Sequence, residues 1–180
     1  NLTRFVREAR ERGATPVLTP IATAEGKLAG RSDGRRGGGE LRQHSGAGEM
    51  NLAHILARSA RSFPERPALL VGDRCVHAYA GLAARSARLA GYLRQNLGLA
   101  PGERVAIFMS NCPEYLECLY GVLWAGLVAV PINAKLHARE AAWIVGNAEA
   151  RLVCVSADLA GALAPALDEA DSPLPLLVPG

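Results

Sequence analysis

The 180 residues contain no C-x-x-C pair, no H-E-x-x-H and no G-x-x-x-x-G-K-[ST], and the one G-x-S-x-G, GRSDG at residues 30–34, lies in a Gly/Arg-rich stretch with no apolar strand leading into it. Those absences remove the usual signatures of zinc and dithiol sites, zinc proteases and P-loop NTPases, and a G-x-S-x-G outside a strand–turn–helix context does not signal a serine hydrolase. The four cysteines, Cys75, Cys112, Cys118 and Cys154, are irregularly spaced and lie in or beside apolar runs. They read as small buried hydrophobes in a reducing cytosol rather than as disulfides or zinc ligands. The first residues, NLTRFVREARERG, have no apolar stretch of the length a secretory signal needs. Nor is there a run long enough to span a bilayer. The longest stretch without a charge, residues 118–134, has 17 residues and is interrupted by Gly121, Gly126 and Pro131, whereas a spanning helix needs roughly 20.

Basic excess is missing from most of the chain. Residues 1–49 hold 9 Lys/Arg against 6 Asp/Glu, and residues 50–180 hold 11 against 11, so the formal charge of +3 belongs to the first segment. A neutral body argues against a nucleic-acid surface, which needs clustered cations to neutralise phosphates. What is present is ordinary for a globular protein, 49% hydrophobic and 21% charged.

Along the chain three regions differ in character. Residues 1–23, with RFVREARERG followed by ATPVLTPI, predict a helix ending near Gly13 and then a strand between prolines. Residues 24–49 are rich in Gly, Arg and Ser and poor in large apolar side chains, which predicts a disordered linker. The triple glycine of residues 37–39 is no phosphate loop, since no strand leads into it and no helix leaves it.

From Met50 the pattern becomes regular. A helix with Asn51 as its N-cap buries Leu52, Ile55, Leu56 and Ala60, and Pro64 and Pro67 stop it. ALLVG and CVHAY make a hairpin turning at Asp73 and Arg74. A helix over residues 81–97 carries a stripe of Leu82, Leu89, Leu93 and Leu97, each contributing about 1.5–3 kcal/mol when fully buried. Residues 105–109 form a strand, and Asn111, Pro113 and Glu114 start a helix that Gly126 ends, with Asn111 read as its cap. A strand reaching Pro131, a helix beginning near His137, the strand RLVCVS, a helix over residues 157–170 and the apolar LPLLVPG complete the pattern. Uniformly apolar strands alternating with helices predict an α/β fold, a mostly parallel sheet with helices on both faces.

The order of these words carries a resemblance. RPALLVGDRCVHAYAGLAARSARLAGYL, GLAPGERVAIFMSNCPEYLECLYGVLWAGLVAVPINAKL and REAAWIVGNAEARLVCVSAD resemble the N-terminal subdomain of the adenylate-forming acyl-CoA synthetases, the AMP-binding family that includes fatty-acid CoA ligases. The resemblance covers residues 50–180 and is most specific in the central piece. It departs at Ala78, where such enzymes commonly carry a capping Thr. Residues 1–23 more weakly resemble the helix and strand of SGNH-type esterases. Met50 then reads as the start of the synthetase, with residues 1–49 joined upstream.

The resemblance implies ATP, Mg and CoA as participants in the full-length enzyme, a small-molecule carboxylic acid as substrate, and a cytoplasmic setting. The family's Thr/Ser/Gly-rich phosphate loop and its catalytic Lys match nothing in these 180 residues. No catalytic, cofactor-binding or metal residue is therefore assigned, no cofactor is expected to bind this fragment, and the fragment is expected to be inactive by itself. Asn111, Asn133, Lys135 and His137 fall at strand ends, where open α/β sheets bind ligands, yet a cap for Asn111 and solvated loops for the others are the expected roles. Two other readings stay open: a non-enzymatic α/β binding or remnant module, and an SGNH-type hydrolase fragment resting on residues 1–23.

Overall fold

The computed structural model describes residues 51–179 together with the backbone of a short strand, β1 (Val17–Leu18). The helix expected before Gly13 and the linker expected over residues 24–49 lie outside the described residues.

Helix α1 (Ala53–Ser62) has Leu52 rather than the expected Asn51 as its N-cap, without a side-chain bond, and Asn51 stands one residue earlier, where its side chain accepts a hydrogen bond from the Ala53 amide at 2.9 Å. Its core face is narrower than the sequence suggested. Ala53 and Leu56 are buried, whereas Leu52 and Ile55 are exposed. The hairpin of β2 (Pro67–Val71) and β3 (Arg74–Ala78) is antiparallel. Its turn is Gly72–Asp73 rather than Asp73–Arg74, because Gly72 takes a φ of +58°, which costs a residue without Cβ nothing.

Helix α2 (Tyr79–Gly91) begins two residues earlier than expected, takes Tyr79 out of the strand, and continues as a π turn over Tyr92–Asn96. Ala78 is its N-cap and supplies no side-chain hydrogen bond. Leu82, Leu93 and Leu97 are buried as the stripe required, and Leu89 packs against the same core.

Strand β4 (Arg104–Phe108) leads to α3 (Pro113–Trp124). Asn111 does not cap this helix. Pro113 occupies the first helical turn and forces the residue before it into an extended conformation. Cys112, at φ −142° and ψ 162°, is therefore the N-cap, without a side-chain bond, and Asn111 is left exposed. The strand β5 (Val128–Ile132) runs through Pro131 instead of stopping at it. That is tolerable because β5 is an edge strand, where a missing amide donor breaks no ladder.

Next come α4 (Ala138–Asn147), β6 (Leu152–Val155), α5 (Ala157–Glu169) and β7 (Leu176–Leu177). The uncharged run of residues 118–134 thus divides between α3 and β5. Among the described residues no helix is long and apolar enough to cross a membrane.

The main sheet has the order β1-β7-β6-β4-β5, and every pairing in it is parallel. Alternate side chains of β4 and β6 enter two separate cores. Val105, Ile107, Leu152 and Cys154 meet Cys118 and Val122 of α3 and Leu93 of the π turn. Ala106, Phe108, Val153 and Val155 meet Ala141 and Val145 of α4 and Leu163 and Leu167 of α5. Helix α3 therefore covers one face and α4 with α5 the other. The change of face occurs between β4 and β6.

A third, smaller core joins Leu56 and Ala60 of α1, Ala68 and Leu69 of β2, and Leu82 and Ala83 of α2. It binds the first helix and the hairpin to α2, and through Tyr120 to α3.

Candidate functional site

In an open α/β sheet the chain after two neighbouring strands diverges to opposite faces at the switch point, and ligands bind in the crevice that opens there. Here that point is the carboxyl end of β4 beside that of β6. Three polar groups meet at it. The Ser110 amide donates to Ser156 Oγ at 3.1 Å, and Ser110 Oγ donates to Asp158 Oδ2 at 2.7 Å. Ser156 is buried and sits at the N-cap of α5, while Asp158 lies exposed in its first turn.

Hydrogen bonds from Ser156 and then Ser110 hold the Asp158 carboxyl below its ordinary range. The latch therefore contributes fully above the unfolded carboxylate range, near pH 4, and is lost as the pH falls through the lower folded value. The melting-temperature difference between the wild type and Asp158→Asn is expected to be constant near neutrality and to shrink as the pH is lowered below about 4. A pH-independent difference would contradict this assignment.

Of the four tempting residues, Asn133, Lys135 and His137 share the loop after β5, and Asn111 follows β4. The Asn133 and His137 side chains are each occupied locally. Asn133 Oδ1 accepts from the Lys135 amide at 3.0 Å. His137 Nδ1 accepts from the Arg139 amide at 3.3 Å while Glu140 Oε2 accepts from the His137 amide at 2.8 Å, a capping box that starts α4. Lys135 and Asn111 are exposed. The structure does not gather the four into one cluster of interacting side chains. No local signal distinguishes Ser110, Ser156 and Asp158: only their position just after two apolar strands marks them, and adjacency of those strands is a tertiary fact.

A second polar cluster lies away from the switch point. Glu117 of α3 is buried, and its Oε1 receives Arg85 Nε of α2 at 2.6 Å and His77 Nε2 of β3 at 2.8 Å. It ties three elements together.

Neither arrangement supplies a nucleophile with a base. His77 faces Glu117 and His137 caps a helix, so neither activates a serine. Burial pushes the Cys112 thiol up, and the hydrogen bond with Cys154, then burial, push Cys118 well up, which disfavours the thiolate. Among the described residues no three His, Cys, Asp or Glu side chains converge to hold a metal ion.

Comparison with known proteins places this scaffold. The family model described as AMP-binding enzyme matches residues 56–178. A crotonobetaine/carnitine–CoA ligase of Salmonella paratyphi A is 41% identical over 115 residues, a match covering 61% of this chain and 22% of the ligase. The crystallised N-terminal domain of FACL13 from Mycobacterium tuberculosis superposes with a TM-score of 0.63 at 31% identity, over 73% of this chain and 34% of that one. A benzoate CoA ligase from Burkholderia xenovorans LB400 gives a TM-score of 0.65 at 27% identity, over 73% and 26%. The chain thus spans about a fifth to a third of the length of these relatives. By sequence and fold, it belongs to the family of AMP-binding enzymes, of which it carries an N-terminal region.

Proposed function

We propose that this chain is the N-terminal part of an ATP-dependent acyl-CoA synthetase, an acid–thiol ligase. The observation that carries the reading is the unbroken family match over residues 56–178, shared with relatives that are CoA ligases. In that reaction a carboxylate attacks the α-phosphate of ATP and pyrophosphate leaves. The CoA thiol then attacks the acyl carbon of the acyl-adenylate and AMP departs. Phosphoryl charge developing in the first step needs preorganised donors and a cation.

The described residues do not fit the magnesium ion such a step uses. Asp158 is engaged by Ser110, and no second carboxylate joins it to form a binding group. No step is therefore assigned to a metal here. Residues 50–180 supply scaffold: a buried parallel sheet and the helices that face it. The regions before it are a segment of separate origin, residues 1–23, and a linker, residues 24–49. This division is supported by the start of the family match at residue 56. Free cysteines at all four positions support a cytoplasmic setting.

The 180-residue chain by itself behaves as an α/β module without adenylation chemistry. Purified chain incubated with Mg-ATP, labelled pyrophosphate and a panel of carboxylic acids is expected to show no exchange above a heat-denatured control. Exchange above that control would show catalytic groups within these residues. Grafting residues 50–180 in place of the matching segment of an active CoA ligase tests the family role directly. Retained thioester formation supports it, and a folded but inactive chimaera counts against it.

A further inference from the structure

One strand of the main sheet comes from outside the family match. Strand β1 precedes residue 56, where that match begins, yet it pairs in parallel with β7, Val17 beside Leu176 and Leu18 beside Leu177. On its other side β7 pairs with β6, Val153 beside Leu176 and Cys154 beside Leu177. Leu177 enters the first core and Leu176 the second, and both are fully buried. Strand β7 is therefore covered on both faces and along one edge, and the edge beside β1 is where its remaining backbone groups need a partner.

The two segments match in sequence. PVLTP (residues 16–20) and PLLVP (residues 175–179) share the spacing P-x-x-x-P, and the register of Val17 with Leu176 sets the two spacings in step. Proline has no N–H to give to a ladder, so each segment can donate only from the three residues between its prolines. A slip of one residue would set a proline of one segment against a donor of the other. The prolines thus limit register as well as length. Within residues 1–49 the longest run without a charge is residues 13–24, which contains this segment. An uncharged Val-Leu pair is the composition that a strand beside a doubly covered neighbour requires.

We propose that the β7 edge is a strand-acceptor site and that its occupant is the chain's own segment, residues 16–20, added in cis as a parallel strand. Main-chain hydrogen bonds hold such an added strand, and because donor and acceptor share one chain the pairing is intramolecular, so a short ladder suffices. Whatever its origin, the segment then belongs to the folded unit, and it keeps the β7 edge from pairing with another chain. The inference is independent of the ligase reading.

Hydrogen exchange of the intact 180-residue chain, read by mass spectrometry, tests it. Residues 17–18 and β7 are expected to exchange at least about tenfold slower than unstructured peptides of the same sequence. Val17→Pro/Leu18→Pro removes both amide donors of β1. It is expected to bring exchange in β7 at least about threefold closer to the unstructured rate, while β4, held between β5 and β6, keeps the wild-type rate. Val17→Gly/Leu18→Gly keeps both donors but weakens the strand, and its effect on β7 is expected to be smaller. Wild-type exchange of residues 17–18 at the unstructured rate, or unaltered exchange of β7 in the folded variants, would overturn the proposal. So would protection that rises with protein concentration alongside a dimer in sedimentation, since a second copy of the chain would then supply the strand.

Discussion

Replacing Glu117 with alanine is expected to destabilise the chain by about 3 kcal/mol, at the lower end of the cost of breaking a buried ion pair. The carboxylate is the only acceptor that Arg85 and His77 share, and its side chain is 7% exposed. Removing it leaves a guanidinium and an imidazole facing the space that the buried carboxylate filled. Arg85 is 35% exposed and partly rehydrates, which keeps the cost from the top of the range. Glu117→Gln retains the shape and an acceptor and should cost less. Denaturant unfolding followed at two probes, with Arg85→Ala and the double variant completing a cycle, isolates the pair. A coupling energy below about 0.5 kcal/mol would show that the cluster is incidental. Amide exchange should accelerate first in β3, which the cluster holds through His77, and in β2, its pairing partner.

Gly121→Val is expected to be comparably severe, about 3 kcal/mol or more, for a steric reason. Even a single added Cβ at Gly121 would stand 2.8 Å from Leu89 Cδ2, 2.9 Å from Cγ and 3.1 Å from Cβ. The last of these is tied to the α2 backbone, so rotating Leu89 cannot clear the site. Helix α2 also buries the small residues Ala83, Ser86 and Ala90. The buried Ser86 hydroxyl finds no hydrogen-bond partner among the described residues. Gly121→Ala should cost about 1–3 kcal/mol, and combining it with Leu89→Ala should recover part of that loss. Thermal and denaturant unfolding of the four variants measures this. Strict additivity would mean that the helices separate rather than clash.

Much of the fold was legible because local chemistry and burial agree. Val105, Ala106, Ile107 and Phe108 can only be a strand buried on both faces, and Gly98 and Gly126 end their helices where the pattern stops. The misplacements have physical causes as well. Asn111 looked like a cap by type and spacing, but the backbone restriction from Pro113 moved the cap to Cys112. Leu52 and Ile55 looked like core by periodicity. Helix α1, however, buries only Ala53 and Leu56 fully, because a hairpin and one helix make too small a partner to cover more. For the candidate site the position of the carboxyl strand ends could be foreseen, and the partners could not.

The sequence alone determined the α/β class, the family, and the helix boundaries that Gly and Pro impose, since each depends on residues close together in the chain. Tertiary structure alone decided that β6 lies beside β4 rather than β5, which brings Ser110 to Ser156 and Asp158 across 46 and 48 residues. It likewise decided that Glu117 meets His77 and Arg85. Such contacts arise from the packing of whole elements against two cores, and no local spacing encodes them.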